Sequence, residues 1–180
     1  MNKKNVIIIS FLILNFLYFN FASAQSVNLV PQTAQIANNA TFSLTLNIAS
    51  ASNLFGMAFD LNFNPSLLDF ISATEGNFLN QGCQTSLMTA ENPAGKLIFG
   101  FTRLGAACGG VSGSGTLATL NFQALNQLGT ASLTFSNNSL CILSGSNCNY
   151  IAGTWAGAAV TVATASDTTP PAAPTGVTVN

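Results

Sequence analysis

The sequence predicts an all-β fold, a sandwich in which about nine short strands form two packed antiparallel sheets. The first observation behind this prediction is an apolar residue at every second position in most runs after residue 25, which is the period of a strand with one buried face. The second is that the Asn, Pro, Gly and Ser residues typical of turns bound each run. The third is that no window of similar length has the spacing of an amphipathic helix.

The predicted strands follow one another at short intervals. They cover residues 27–30, 42–48, 57–63, 68–73, 83–91, 97–102, 118–124, 133–135 and 160–162, with turns at 38–39, 64–66, 92–95, 113–115 and 129–130. The ten phenylalanines after residue 24 fall largely on the buried positions of these strands. We therefore interpret the alternating aromatic residues as core rather than as a ligand surface.

The N-terminus has the pattern of a cleavable signal peptide over residues 1–24. Lys3 and Lys4 form the positive region, residues 6–21 are mostly apolar, and Ala22-Ser23-Ala24 is a small-residue cleavage site. The alternative is an uncleaved anchor, but the apolar stretch is shorter than the roughly 20 residues of a spanning helix. We expect the mature chain to begin at Gln25, to be secreted or held at the cell surface, and to have no membrane span after cleavage.

The charge of the exported part excludes nucleic acid as a partner. Charged residues make up 5% of the chain and hydrophobic residues 48%. After cleavage two cations, Lys96 and Arg103, stand against five carboxylates, which leaves a net charge of −3. Affinity for a phosphate backbone requires several Lys or Arg contacts that act together.

The residue types that catalysis requires are scarce, and we expect no enzyme and no cofactor. The chain has no histidine, and it has no Gly-x-Ser-x-Gly nucleophile turn. The one pair of carboxylates that could approach each other, Asp60 and Glu91, is better interpreted as two separate surface groups. A metal site is not expected either, because Asp69 and Glu75 are separated by a strand and no Cys-x-x-Cys pair occurs.

Four cysteines, all in the exported part, favour disulfides in an oxidising compartment. Three pairings are open to four cysteines. The pairing we favour joins Cys141 to Cys148 across a small loop and Cys83 to Cys108.

The composition changes near residue 166. Residues 166–174 are rich in Pro and Thr and predict an extended linker after a domain at 25–165. Residues 175–180, Thr-Gly-Val-Thr-Val-Asn, look like the opening strand of a fibronectin type III domain.

Three segments together resemble a cohesin domain. They are FDLNFNPSLLDFISATEG at 59–76, AENPAGKLIFGFT at 90–102, and GSGTLATLNFQA at 113–124, and the resemblance spans about 27–163. It implies a nine-stranded jelly-roll sandwich with no catalytic activity. It also implies an extracellular protein partner, such as a dockerin, that is captured on one sheet face.

The partner-binding face implied by the resemblance lies on two neighbouring strands. In dockerin-binding cohesins of the first type, outward positions of the third strand often carry Asn and Asp, and the matching places here are Gly56 and Ala58. Asp60 and Asn62, which follow Ala58 on the same outward side of that strand, could serve a different partner. The expected face consists of Ala58, Asp60 and Asn62 with Ile98, Gly100 and Thr102.

Two alternatives to protein binding remain open at this point. The first is polysaccharide binding in a loop after Cys148, where the rings of Tyr150 and Trp155 could stack on a sugar while Asn147 and Asn149 bond its hydroxyls. The second is a structural spacer in a multidomain adhesin.

Overall fold

A computed structural model describes residues 24–105 and 107–165 of the chain. The expected signal peptide except its last residue, the linker at 166–174 and the fibronectin-like segment at 175–180 lie outside the described residues. The described part consists of eleven strands joined by turns. They are β1 Ser26–Val30, β2 Thr33–Ala37, β3 Thr41–Asn62, β4 Leu68–Glu75, β5 Gln84–Glu91, β6 Lys96–Leu104, β7 Val111–Ala124, β8 Gly129–Ser144, β9 Asn147–Ile151, β10 Thr154–Ala156 and β11 Ala158–Ala163.

Two long strands, β3 and β8, pass through both layers of the sandwich. The front sheet has the antiparallel order β5, β6, second half of β3, second half of β8, β9. The back sheet has the order β4, β7, first half of β3, β1, β10. The first half of β8 pairs with β11, which pairs in parallel with β2.

The predicted all-β sandwich is confirmed, and the strands differ in detail from the predicted nine. The first predicted strand is followed by a second, because Pro31 lacks an N–H for a continuous ladder and the chain resumes as β2. The predicted strands at 42–48 and 57–63 are two halves of β3. The region after Cys148, expected to be a loop, forms β9 and β10.

The middle of β3 changes which residues face the core. In the first half Leu44, Leu46 and Ile48 are buried, and in the second half Met57, Phe59 and Leu61 are buried, so the inward positions change from even to odd. Ser50 and Asn53 have φ values of 55° and 57°, and the pairing with β7 shifts register at this place. An inserted residue in a bulge turns a strand over in this way, which lets one strand serve two sheets.

The core between the sheets is continuous and apolar. On the front side Phe59 stacks on Phe99 with ring centroids 4.5 Å apart, and the edge of Phe135 meets Phe59 at 5.0 Å. On the back side Phe122 lies among Leu side chains and contacts Phe63 and Phe70. The inner faces therefore fix the orientation of every outward side chain.

Candidate binding face

The outward side chains of the front sheet form the surface that we call the front face. The register between strands places Met88 of β5 opposite Gly100 of β6, Gly100 opposite Ala58 of β3, and Ala58 opposite Ser139 of β8. The same register puts Ile98 opposite Asp60. All six residues of the expected binding face therefore lie together on this surface, as Ala58, Asp60, Asn62, Ile98, Gly100 and Thr102.

Large apolar side chains stand around a depression in the front face. Met88 is 67% exposed and Ile98 42%, while Gly100 and Ala58 beside them have little or no side chain. The depression, which we call the front hollow, has a volume of about 730 Å³. A second hollow of about 260 Å³ begins at Ala58 and extends to Tyr150 and the pair Cys141 and Cys148. The front hollow is lined by Ala58, Leu87, Met88, Thr89, Ala90, Ile98, Phe99 and Gly100.

Two glycines in the face have different roles. A Cβ added at Gly56 would lie 3.0 Å from the carbonyl oxygen of Phe101 and from Oγ1 of Thr102, so the strands approach too closely for a side chain there. A Cβ at Gly100 would meet only Cε of Met88, at 3.9 Å. A side chain at position 56 would therefore press on the neighbouring strand, whereas at position 100 the missing side chain leaves room in the front hollow.

Asp60 lies on the outward side of β3, as expected, but its carboxylate is engaged by neighbouring side chains. Its Oδ2 accepts from Nζ of Lys96 at 2.8 Å and from Nδ2 of Asn137 at 2.7 Å, and the residue is only 7% exposed. The hydrogen bond from Lys96 and then that from Asn137 hold the pKa of the Asp60 carboxyl below its ordinary value. Asn137 has a φ of 50° at a bulge in β8, a conformation that Asn tolerates well.

The other polar groups of the expected face are also engaged within the sheet. The side-chain nitrogen Nδ2 of Asn62 donates to Oγ of Ser136 at 2.8 Å. Oγ1 of Thr102 donates to the backbone carbonyl oxygen of Arg103 at 3.2 Å. The centre of the front face is therefore mainly apolar, with its charge neutralised in the Asp60 and Lys96 pair.

The four residues expected to bind a sugar do not share one surface. Tyr150 points outward on β9, while Asn147 and Asn149 are at alternate positions of that strand and face the other way. Trp155, expected in a loop and required by the sugar-binding alternative to turn its ring to solvent, lies on β10 and packs half-buried against Phe59 and Phe135. Its Nε1 donates to the carbonyl oxygen of Ala152.

Two disulfides lie at the same end of the front sheet. They join Cys83 to Cys108, with Cα atoms 6.1 Å apart, and Cys141 to Cys148, with Cα atoms 5.3 Å apart. The second one closes the hairpin of β8 and β9 and so holds Tyr150 at the border of the front face.

The sequence analysis missed the position of Met88 on the front face and the burial of Arg103. The predicted turn at 92–95 contained a signal for Met88, because a hairpin there brings residue 88 next to residue 100. Arg103 is 5% exposed and points inward, where its guanidinium donates to the carbonyl oxygens of Leu79 and Gln81. The Arg103 side chain thus holds the segment before β5 in place. The one sequence signal for its burial is that Arg103 continues the inward positions 99 and 101 of β6.

The groups that catalysis or metal binding would use are dispersed. Oε1 of Glu91 accepts from the backbone N–H of Gly95 at 2.7 Å, so this carboxylate is used in the turn after β5. Within residues 24–105 and 107–165 no three Cys, Asp or Glu side chains come together as a metal site. In the same part of the chain there is no helix of the length and hydropathy that would cross a membrane.

Comparison with known proteins gives similar folds at low sequence identity. The seventh type I cohesin of ScaB from Pseudobacteroides cellulosolvens has a TM-score of 0.67 and 13% identity, covering 87% of this chain and 99% of that one. The sixth cohesin of scaffoldin B from Acetivibrio cellulolyticus, solved in complex with a mutant Cel5 dockerin, has a TM-score of 0.66 and 17% identity, covering 78% and 100%. A non-cellulosomal cohesin from Archaeoglobus fulgidus has a TM-score of 0.62 and 13% identity, covering 79% and 93%.

The sequence itself matches a family. A search of curated proteins found no match. The family model described as "Cohesin domain" matches residues 27–162, which is most of the chain and nearly all of its described part. The all-β sandwich, its solved neighbours and this match agree, and the chain belongs to the cohesin family of non-catalytic binding modules.

Proposed function

We propose that the chain is a secreted or cell-surface docking module that holds a protein partner, of the dockerin type or another, on its front face. The observation that carries this proposal is the front hollow, an open apolar depression in an otherwise regular sheet. Monomeric proteins rarely leave several large apolar side chains together in water, and such clusters mark interaction sites.

The family supports a protein as the partner. The Acetivibrio cellulolyticus cohesin is solved with a dockerin, and so is a type I cohesin from Clostridium thermocellum. The front face differs from a polar recognition surface, because Asp60 and Asn62 already bond to Lys96 and Ser136. Binding is then expected to rest on shape and apolar contact, since truncation of a few buried apolar anchors removes most of the affinity of such interfaces.

Sugar binding loses its support in the geometry of the site. Flat sugar rings stack on exposed aromatic rings, and the ring of Trp155 instead packs on Phe59 and Phe135. Tyr150 alone remains exposed, and the two asparagines beside it point away from it.

The experiment is a binding assay with a panel of purified dockerins of both types and with secreted proteins of the source organism. The test variant is Gly100→Arg, which places a long charged side chain in the front hollow at a position where a Cβ has room. We expect at least one partner to bind, and its affinity to fall at least roughly a hundredfold in the variant, because an unpaired charge would be buried in the interface.

The matched control is Ser132→Arg, an equally large change at an exposed residue of β8 that lies in the half paired with β11, away from the front sheet. This variant should bind like the unchanged protein. Failure of every partner to bind would contradict the docking role, and an equal loss in both variants would place the contact elsewhere.

A further inference from the structure

Strand β5 is an open edge of the front sheet. It pairs with β6 over eight residues without a register shift, and in the described part of the chain its other side carries no strand. Its last four residues are exposed, with Met88 the most prominent apolar side chain among them. An edge of this kind is a template for a further strand.

Two hydrogen bonds show which backbone groups are free at this edge. The N–H of Asn92 donates to the carbonyl oxygen of Lys96, and the N–H of Phe63 donates to that of Gly95. In an antiparallel ladder the N–H and C=O of a residue point to the same side, and the sides alternate along the strand. The even residues of β5 therefore bond to β6, and Leu87 and Thr89 direct their N–H and C=O groups away from the sheet.

Strand β4, at the edge of the back sheet, has features that hinder pairing with a further strand. Strand β4 is also eight residues long and pairs only with β7, but its ladder has a register shift between Phe70 and Ser72. It also carries Asp69 and Glu75. Bulges and charges of this kind hinder pairing between edges. Strand β5 has neither a bulge nor a Pro or Lys, and its one charge, Glu91, is bonded to its own turn.

We propose that β5 is a self-association edge, at which two copies of the chain pair antiparallel about a two-fold axis through Met88. In this register Leu87 of each copy bonds to Thr89 of the other, and Ser86 lies opposite Ala90. No charge opposes a like charge, and the two Met88 side chains cover each other. The pairing is limited to about residues 86–90, because Thr85 is bonded to Glu75 of its own copy at 2.6 Å.

The consequence is a continuous sheet in which both front faces point to the same side. The two proposals share the side chain of Met88, which lines the front hollow and lies at the proposed axis, but the ladder between copies uses the backbone groups of Leu87 and Thr89, which docking on the front face does not require. A short shared ladder buries little area, so the association is weak and depends on concentration.

The first test is sedimentation equilibrium of the protein from about 1 μM to about 1 mM, a range in which weak dimers form and dissociate. We expect a reversible dimer at the upper end. Thr89→Pro should weaken it at least roughly tenfold, because the variant loses an N–H that points away from β6 and so spares the ladder within the chain. The control Thr89→Val keeps that N–H and should associate like the unchanged protein.

A second variant covers the case that the proline disturbs folding. Met88→Lys places two like charges opposite each other at the axis and should also leave the protein monomeric. A protein that stays monomeric at every concentration overturns the proposal. So does a dimer that neither Thr89→Pro nor Met88→Lys weakens.

Disulfide cross-linking tests the register. In the Met88→Cys variant the introduced cysteines of the two molecules face each other across a pair that is not hydrogen-bonded, where Cα atoms lie about 4.5 Å apart. This variant should form a covalent dimer on mild oxidation. In the Ala90→Cys variant each introduced cysteine faces Ser86 of the other molecule, and the two cysteines lie about 13 Å apart. This variant should therefore form no covalent dimer. Equal cross-linking of both variants overturns the proposed pairing.

Discussion

The two halves of β3 present opposite kinds of surface to solvent. The back half turns Thr41, Ser43, Thr45 and Asn47 outward, and the front half turns Gly56, Ala58, Asp60 and Asn62 outward. On the back face Oγ of Ser43 donates to Asn121 at 2.7 Å, and Nδ2 of Asn121 donates to Ser72 at 3.0 Å. Polar side chains there satisfy one another and water, with Val30 of β1 and Ile71 of β4 exposed on either side of them, whereas the front face leaves Met88 and Ile98 exposed beside the front hollow.

This difference is not required by the fold. Both halves bury a continuous apolar row on the inner side, and that burial stabilises the sandwich whatever the outer side carries. An exposed apolar side chain on the outer side adds nothing to this burial and promotes aggregation. The difference between the two faces is what the proposed docking role of the front face predicts, because the fold alone requires no exposed apolar side chains on either face.

The largest expected effect tests whether the two inner sides are equally important. Phe59→Ala removes a ring that is 1% exposed and contacts Phe99, Phe135 and Trp155, and should lower the free energy of unfolding by about 4 kcal/mol. Phe42→Ala, in the back half, removes a half-buried ring stacked on Phe122 alone and should cost about 2 kcal/mol. Urea unfolding measures both. Equal losses would show that the aromatic cluster of the front half is no special anchor.

The next effect concerns the one buried carboxylate of the front face. Because Lys96 and Asn137 lower the pKa of Asp60, the contribution of Asp60 to stability is complete above its ordinary pKa of 3.8 and is lost as the pH falls through the folded value. Asp60→Asn should lower the free energy of unfolding at pH 7 by on the order of 1 kcal/mol.

Unfolding followed between pH 7 and pH 2 checks the sign. The unchanged protein should lose more stability over this range than Asp60→Asn does. Asp69→Asn, the same change at an exposed carboxylate of β4, is the matched control for the effect of the substitution itself. If the free energy of unfolding of Asp60→Asn falls as steeply with decreasing pH as that of the unchanged protein, the ion pair between Asp60 and Lys96 contributes little to stability.

The fold was predictable from the sequence and the details of the site only in part. Alternation in the runs around Leu44 and Phe59 reports burial directly, and the outward position of Asp60 follows from the same period. That Asp60 is covered was not predictable, because Lys96 comes from a neighbouring strand and Asn137 from a bulge, and no local pattern encodes either contact. The position of Trp155 was missed because β10 has only three residues and its pairing with β1 joins distant parts of the chain.

A smaller effect is expected on the back face. Asn121→Ala removes two hydrogen bonds between partly exposed side chains, and water replaces them, so the free energy of unfolding should fall by only about 0.5 kcal/mol. Partner binding on the front face should not change. A clear loss of affinity in this variant, measured by calorimetry, would mean that the polar face also takes part in docking.

The smallest effect has the opposite sign and separates the two glycines of the front face. Gly100→Ala should raise the free energy of unfolding by about 0.5 kcal/mol, because glycine in a strand loses more entropy on folding and the added Cβ meets only Met88. Gly56→Ala should instead lower stability, since its Cβ would press on Phe101 and Thr102. The gain at position 100 comes with weaker partner binding if the front hollow receives a side chain of the partner. A variant that is more stable and binds equally well would show that glycine at this position serves neither the fold nor the docking.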